Sequence, residues 1–125
     1  MIGFTFDAGA LIALDRNDRL VVAIIDRAHK LGMRITVPAT ALAQAVRNSA
    51  RQARLSRLIR QDDTDVQALD GPDAKAIGHL MARTGTSDIV DAHVVICALR
   101  ARQPIVTSDA GDLRRLAPEL RLIPV

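Results

Sequence analysis

"MIGFTFDAGALIAL", residues 1–14, decides the fold. Its first six residues carry no charge and do not alternate between apolar and polar, so both faces of this strand are expected to be buried. It stops at an acid, Asp7, and "AGALIAL" continues as a short helix. A doubly buried strand feeding directly into a helix is the beginning of an α/β sheet with helices on both faces.

The rest of the chain repeats the alternation. "RITVPA" (34–39) reads as a second short strand, with Pro38 suited to starting the helix "ATALAQAVRN" (39–48). A third strand is expected around Val66 to Leu69, a fourth in "QPIVTSD" (103–109) and a last in "RLIPV" (121–125). Between them, "NDRLVVAIIDRAHKLG" (17–32) reads as a longer helix capped by Asn17 and ended by Gly32. "RQARLSRLIRQ" (51–61) reads as a basic helix. "GPDAKAIGHLMARTG" (71–85) has proline near its start and glycine at its end, and "AGDLRRLA" (110–117) gives a short helix. Apolar strands alternating with helices predict an α/β sandwich around a mainly parallel sheet, and such folds place their sites beyond the carboxyl ends of the strands.

Composition sets the limits. At 125 residues with 49% hydrophobic content, the chain is expected to form one domain with one core. No apolar run approaches the roughly 18 residues of a membrane span, and Met1 leads into a strand rather than a charged leader, so a soluble, cytoplasmic protein is expected. The single cysteine, Cys97, excludes an internal disulfide and any multi-cysteine metal site, and its apolar surroundings predict burial. Net charge is +3, with 15 arginines among 17 basic residues and 13 aspartates among 14 acids. This bias fits a G+C-rich genome and is not counted as evidence for nucleic-acid binding. A basic chain nonetheless approaches phosphate without strong repulsion.

The acids fall where such a fold places its chemistry. Asp7 closes the first strand, Asp109 closes the fourth, and Asp88 and Asp91 open the long helix in "TSDIVDAHVVICALR" (86–100). Right-handed crossovers bring these strand ends and that helix start together. Taken singly, each acid is a good helix cap, and Asp88 with Asp91 has the spacing of a capping box. Together they form a repelling cluster that a hard divalent cation such as magnesium or manganese would neutralise, and phosphodiester hydrolysis is the natural chemistry of that arrangement.

"FTFDAGALIALDR" (4–16), "VPATALAQAVR" (37–47), "TSDIVDAHVVICALR" and "PIVTSDAGDLRRLA" (104–117) occur in the order of a PIN domain, and the small size resembles the VapC toxins of toxin–antitoxin pairs. The resemblance covers nearly the whole of 1–125. It implies a three-layer α/β/α sandwich with strand order 3-2-1-4-5 and a magnesium- or manganese-dependent ribonuclease, commonly dimeric and inhibited by a cognate antitoxin. Position by position, it implies direct ligation by Asp7 and Asp91, with Asp109 acting through water or orienting the attacking hydroxide. Asp112 stands in the place of a less constant fourth acid, Thr107 and Ser108 support the turn, and Asp88 is an accessory carboxylate. The chain departs from the family at Gln44, where glutamate is usual. An amide oxygen can still ligate, but it brings no charge, so either Asp88 restores that charge or the nuclease is weakened.

Arg47, Arg51, Arg54, Arg57 and Arg60 recur every three or four residues, with Leu55, Leu58 and Ile59 opposite them. This predicts an amphipathic surface helix, and its functional version is a stripe contacting RNA phosphates or an antitoxin. His93, two residues beyond Asp91, is expected to point away from it and to pack locally, while His29 and His79 have no partner pattern. With two phenylalanines and no tyrosine or tryptophan, base stacking has little material. Three functions compete: a metal-dependent ribonuclease toxin, a PIN-fold binding module that lost turnover with its glutamate, and a receiver-like or phosphatase-like domain. The last lacks the D-x-D nucleophile motif in "FDAGA" and a strand-terminal lysine, and no phosphate-binding glycine motif is present.

Overall fold

The computed structural model describes residues 3–125. Met1 and Ile2, at the head of the expected first strand, lie outside that range. Five strands, β1 (Gly3–Phe6), β2 (Arg34–Pro38), β3 (Thr64–Gln67), β4 (Ile105–Thr107) and β5 (Leu122–Pro124), form one parallel sheet in the order β3-β2-β1-β4-β5. β1 is central and wholly buried, with Phe4 opposite Ile35 and Phe6 opposite Val106. That position explains why it can be apolar on both faces.

Helix α1 (Ala8–Asp15) follows β1 and packs against α2 (Arg19–Lys30) and α4 (Ala53–Ile59). Across the sheet, α6 (Ile89–Ala101) packs against α5 (Gly71–Thr84) and α7 (Ala110–Leu116). Helix α3 (Ala39–Ala45) leaves the carboxyl end of β2 and touches both α1 and α6. The result is the expected three-layer sandwich of order 3-2-1-4-5. As read from the sequence, α5 has proline in its first turn and is ended by Gly85 in the left-handed region; its cap is Asp70, which accepts from the Asp73 amide at 2.9 Å. Cys97 is buried, which pushes its thiol up to about 11.

Three local expectations shift. The cap of α2 is Asp18, whose carboxylate accepts from the Leu20 and Val21 amides, while Asn17 sits at φ 58° in the turn that ends α1. The third strand begins two residues before Val66, because its pairing with Ile35–Pro38 runs from Thr64 to Gln67; as an edge strand it has one neighbour and leaves Val66 exposed. The arginine stripe does not lie on one helix. Helix α3 stops at Val46, and a 3-10 turn (Ser49–Arg51) precedes α4. Gln52 holds the break: its carbonyl oxygen accepts from the Arg47 and Asn48 amides, and its NH2 donates to Ala45 O and to Asp15. Arg47 therefore lies in a loop, Arg51 ends the 3-10 turn, Arg54 and Arg57 ride on α4, and Arg60 caps it. Leu55 and Leu58 are buried as expected.

One glycine sets the approach of α1 to the sheet edge. A Cβ on Gly9 would lie 1.7 Å from the Ser108 hydroxyl oxygen and 2.9 Å from its Cβ. Gly9→Ala is expected to push the turn after β4 away from α1 and to cost about 1 to 3 kcal/mol, measurable by urea denaturation. Adding Ser108→Ala should recover part of that loss, because it removes the nearer of the two clashing atoms.

Candidate metal centre

Asp7 ends β1 and caps α1 with the same side chain. One carboxylate oxygen accepts from the Ala10 amide at 2.8 Å and the other from the Thr107 hydroxyl, and the residue is only 4% exposed. Burial pushes its pKa up, partly offset by the hydrogen bonds from Thr107, Ala10 and Ser108. Thr107 also accepts from the Asp109 amide at 2.8 Å. A single buried hydroxyl thus connects the acid that ends β1 to the acid that follows β4. Thr107→Val keeps the shape but leaves Asp7 short of one donor and the Asp109 amide without its acceptor. The variant should lose about 1 to 3 kcal/mol of stability, read from its denaturation midpoint.

The second group of acids comes from two helix starts. Asp88 caps α6 by accepting from the Asp91 amide at 3.0 Å, which places Asp91 in the first turn. Asp109 precedes α7 without capping it, and Asp112 lies in its first turn. One oxygen from each of Asp91, Asp109 and Asp112 lies within 4.8 Å of the other two. Ligand oxygens around an octahedral magnesium stand about 3 to 4 Å apart, so small side-chain rotations bring this set to ligating distance. The donors are hard carboxylate oxygens, the chemistry such a cation prefers.

Without a cation these groups oppose one another's ionisation. Burial pushes Asp91 up to about 6, with the charges of Asp88, Asp109, Asp7 and Asp112 adding to the rise. Asp109 is also raised, chiefly by the hydrogen bond it shares with Asp112. The structure therefore brings Asp91, Asp109 and Asp112 together and keeps Asp7 and Asp88 close enough to act on Asp91. Gln44 is exposed on α3, and its side chain makes no hydrogen bond among the described residues.

Behind the acids lies a network the sequence did not announce. His93 is fully buried, and its Nδ1 is 2.6 Å from the Thr40 hydroxyl on α3. Its Nε2 faces Asp73 on α5 at 3.6 Å, and Asp73 is paired through its other oxygen with Arg100. Burial pushes His93 below its ordinary pKa, which favours the neutral ring. His93 indeed does not join Asp91; it ties α6 to α3 and α5. The only local signal was Asp70-x-x-Asp73 at the start of α5, which reads as a cap and says nothing of a partner on α6.

The family model of the PIN domain matches residues 5–118. The chain belongs to the PIN domain family. Among solved structures, this PIN domain is similar to a chain of VapBC2 from Rickettsia felis bound to a DNA fragment from their promoter, with TM-score 0.68, 13% identity and 97% of each chain covered. At that identity the likeness concerns the fold. No curated protein matches the chain.

Proposed function

We propose that this PIN domain is a magnesium- or manganese-dependent endoribonuclease and the VapC-type toxin of a toxin–antitoxin pair. The observation that carries the reading is the convergence of Asp91, Asp109 and Asp112 beside Asp7 at the carboxyl edge of the sheet, in a member of this family. Asp91, Asp109 and Asp112 would hold the cation, and Asp7, whose two oxygens accept from three donors, keeps a lone pair free to join them. A divalent cation there supplies charge neutralisation for attack on a phosphodiester. Thr107 fixes Asp7 and the Asp109 amide relative to each other, and Asp109, at the exposed rim, orients the attacking water. Asp88 contributes charge while holding the helix start.

The likeness to a VapBC2 chain supports a protein partner, an antitoxin, and a homodimer is proposed with it. A groove of about 240 Å³ between α2 and α4, lined by Leu14, Val22, Ile25, Leu58, Arg54 and Arg57, suits an amphipathic segment with acidic flanks. A second reading, a weak nuclease or a binding module, is favoured by Gln44, which brings no charge to α3. The test is cleavage of a panel of structured RNAs by purified protein with magnesium, manganese or EDTA, with Asp7→Asn as the control for contaminating nuclease. Metal-dependent cutting that the variant lacks supports the enzyme. Metal binding without cutting by the wild type favours the binding module.

A further inference from the structure

Two depressions open beside the acids. One, of about 430 Å³, lies between α1 and the turn after β4 and is lined by Gly9, Ile12, Ala13, Arg16, Asp18 and Ser108. The other, of about 240 Å³, lies between the α5–α6 loop and α7 and takes in part of the centre itself, with Thr86, Ser87, Asp88, Asp91, Asp112 and Arg115 in its wall. Ser108 lines the first and Asp112 the second, so Asp109 stands between them in the chain. Each depression contains a single arginine, and neither Arg16 nor Arg115 has a side-chain hydrogen bond or ion pair among the described residues. Asp18, in the wall of the same depression as Arg16, is engaged in capping α2, and Asp15, which precedes Arg16, accepts from the Gln52 side chain and the Leu55 amide. Arg34 and Arg100, by contrast, are paired with Asp65 and Asp73.

We infer that Arg16 and Arg115 hold the phosphates on either side of the scissile one, so that a single RNA strand crosses the acids from Arg16 to Arg115. The inference rests on the ribonuclease reading and adds the path of the substrate. An acid cluster repels a polyanion except where a cation neutralises it, so a strand lying across it needs positive charge on both flanks. The two unpaired guanidiniums supply that charge in forked geometry suited to phosphate. The hydroxyls of Ser108 and Ser87 add donors that reach phosphate or a ribose 2′-hydroxyl. Gly9 and Ala13, with nothing beyond Cβ, leave room in the first depression for the sugar–phosphate chain, and the sequence has no tyrosine or tryptophan to stack a base. Recognition is by backbone.

The experiment measures binding of a fluorescent single-stranded oligoribonucleotide to full-length protein in calcium, across a salt series. The proteins are the wild type, Arg16→Ala, Arg115→Ala and, as a control for net charge, Arg27→Ala on the exposed face of α2. Arg16→Ala and Arg115→Ala should each weaken binding roughly three- to tenfold and lower the slope of log affinity against log salt by about 0.7. Arg16→Lys should recover part of the slope. Manganese binding, read separately, should match the wild type in both alanine variants, which separates loss of strand contact from damage to the acids. Losses no larger than in Arg27→Ala overturn the path while leaving the ribonuclease reading intact. A wild type that binds manganese but no RNA overturns both.

Discussion

Asp91→Asn is expected to reduce metal-dependent RNA cleavage at least about a hundredfold while making the metal-free protein more stable at neutral pH. Both effects come from one carboxylate. Asp91 sits half-buried among Asp88, Asp109, Asp7 and Asp112, and its pKa rises from the ordinary 3.8 to about 6. A group whose folded pKa is raised gives stability that is fully present below about pH 4 and is lost as pH rises through about 6. At pH 7 to 8 the metal-free protein therefore carries the cost of an ionised Asp91, and the amide relieves it. The variant's melting temperature should exceed the wild type's by a few degrees at pH 7.5 in EDTA and match it near pH 4. Adding manganese should reverse the order, because only the wild type gains binding free energy. Manganese affinity of the wild type should fall about tenfold per pH unit below about 6, as protons compete for the same oxygen. An Asp91→Asn protein that still cleaves in magnesium and not in EDTA would remove the carboxylate from the centre. Equal melting temperatures in EDTA at both pH values would show that the acids do not repel as described.

The sheet was legible in the sequence because its strands are buried on both faces. "GFTF" and "PIV" have no polar face to confuse with an amphipathic helix, and the acids after them mark the carboxyl ends. β3 was placed too late because an edge strand with one neighbour alternates weakly, and Val66 with Leu69 outweighed Thr64 and Asp65. The arginine stripe misled for a different reason. Spacing of three and four persists in sequence across Val46 to Gln52, but Gln52 supplies to the Arg47 and Asn48 amides the bonds that end the helix, and only tertiary structure shows this. The acids at the site were legible by position, whereas their mutual distances were not. Long-range pairs such as His29 with Asp63 at 2.9 Å and His93 with Thr40 at 2.6 Å leave no local trace, since each joins residues from different elements.

Gln44→Glu is expected to raise manganese affinity about ten- to a hundredfold and to increase cleavage with it. The reasoning begins with Asp88, the acid best placed to make up for the missing charge. One of its oxygens is engaged by the Asp91 amide, so it acts on Asp91 mainly as a charge and only in part as a donor. Gln44 lies one turn beyond Thr40, whose bond to His93 ties α3 to the helix that carries Asp91. A glutamate on α3 would add negative charge to the centre without a capping task. It should also raise the pKa of Asp91 further in the metal-free state, lowering the melting temperature in EDTA and moving the pH midpoint of metal binding upward. These two shifts separate an electrostatic gain from a general improvement in folding, which would raise the melting temperature in EDTA. Gln44→Ala completes the series: a fall in manganese affinity would mean that the amide oxygen already serves as a ligand. If Gln44→Glu and Gln44→Ala both bind and cleave like the wild type, Gln44 is a solvent-facing helix residue, and the aspartates alone make the site.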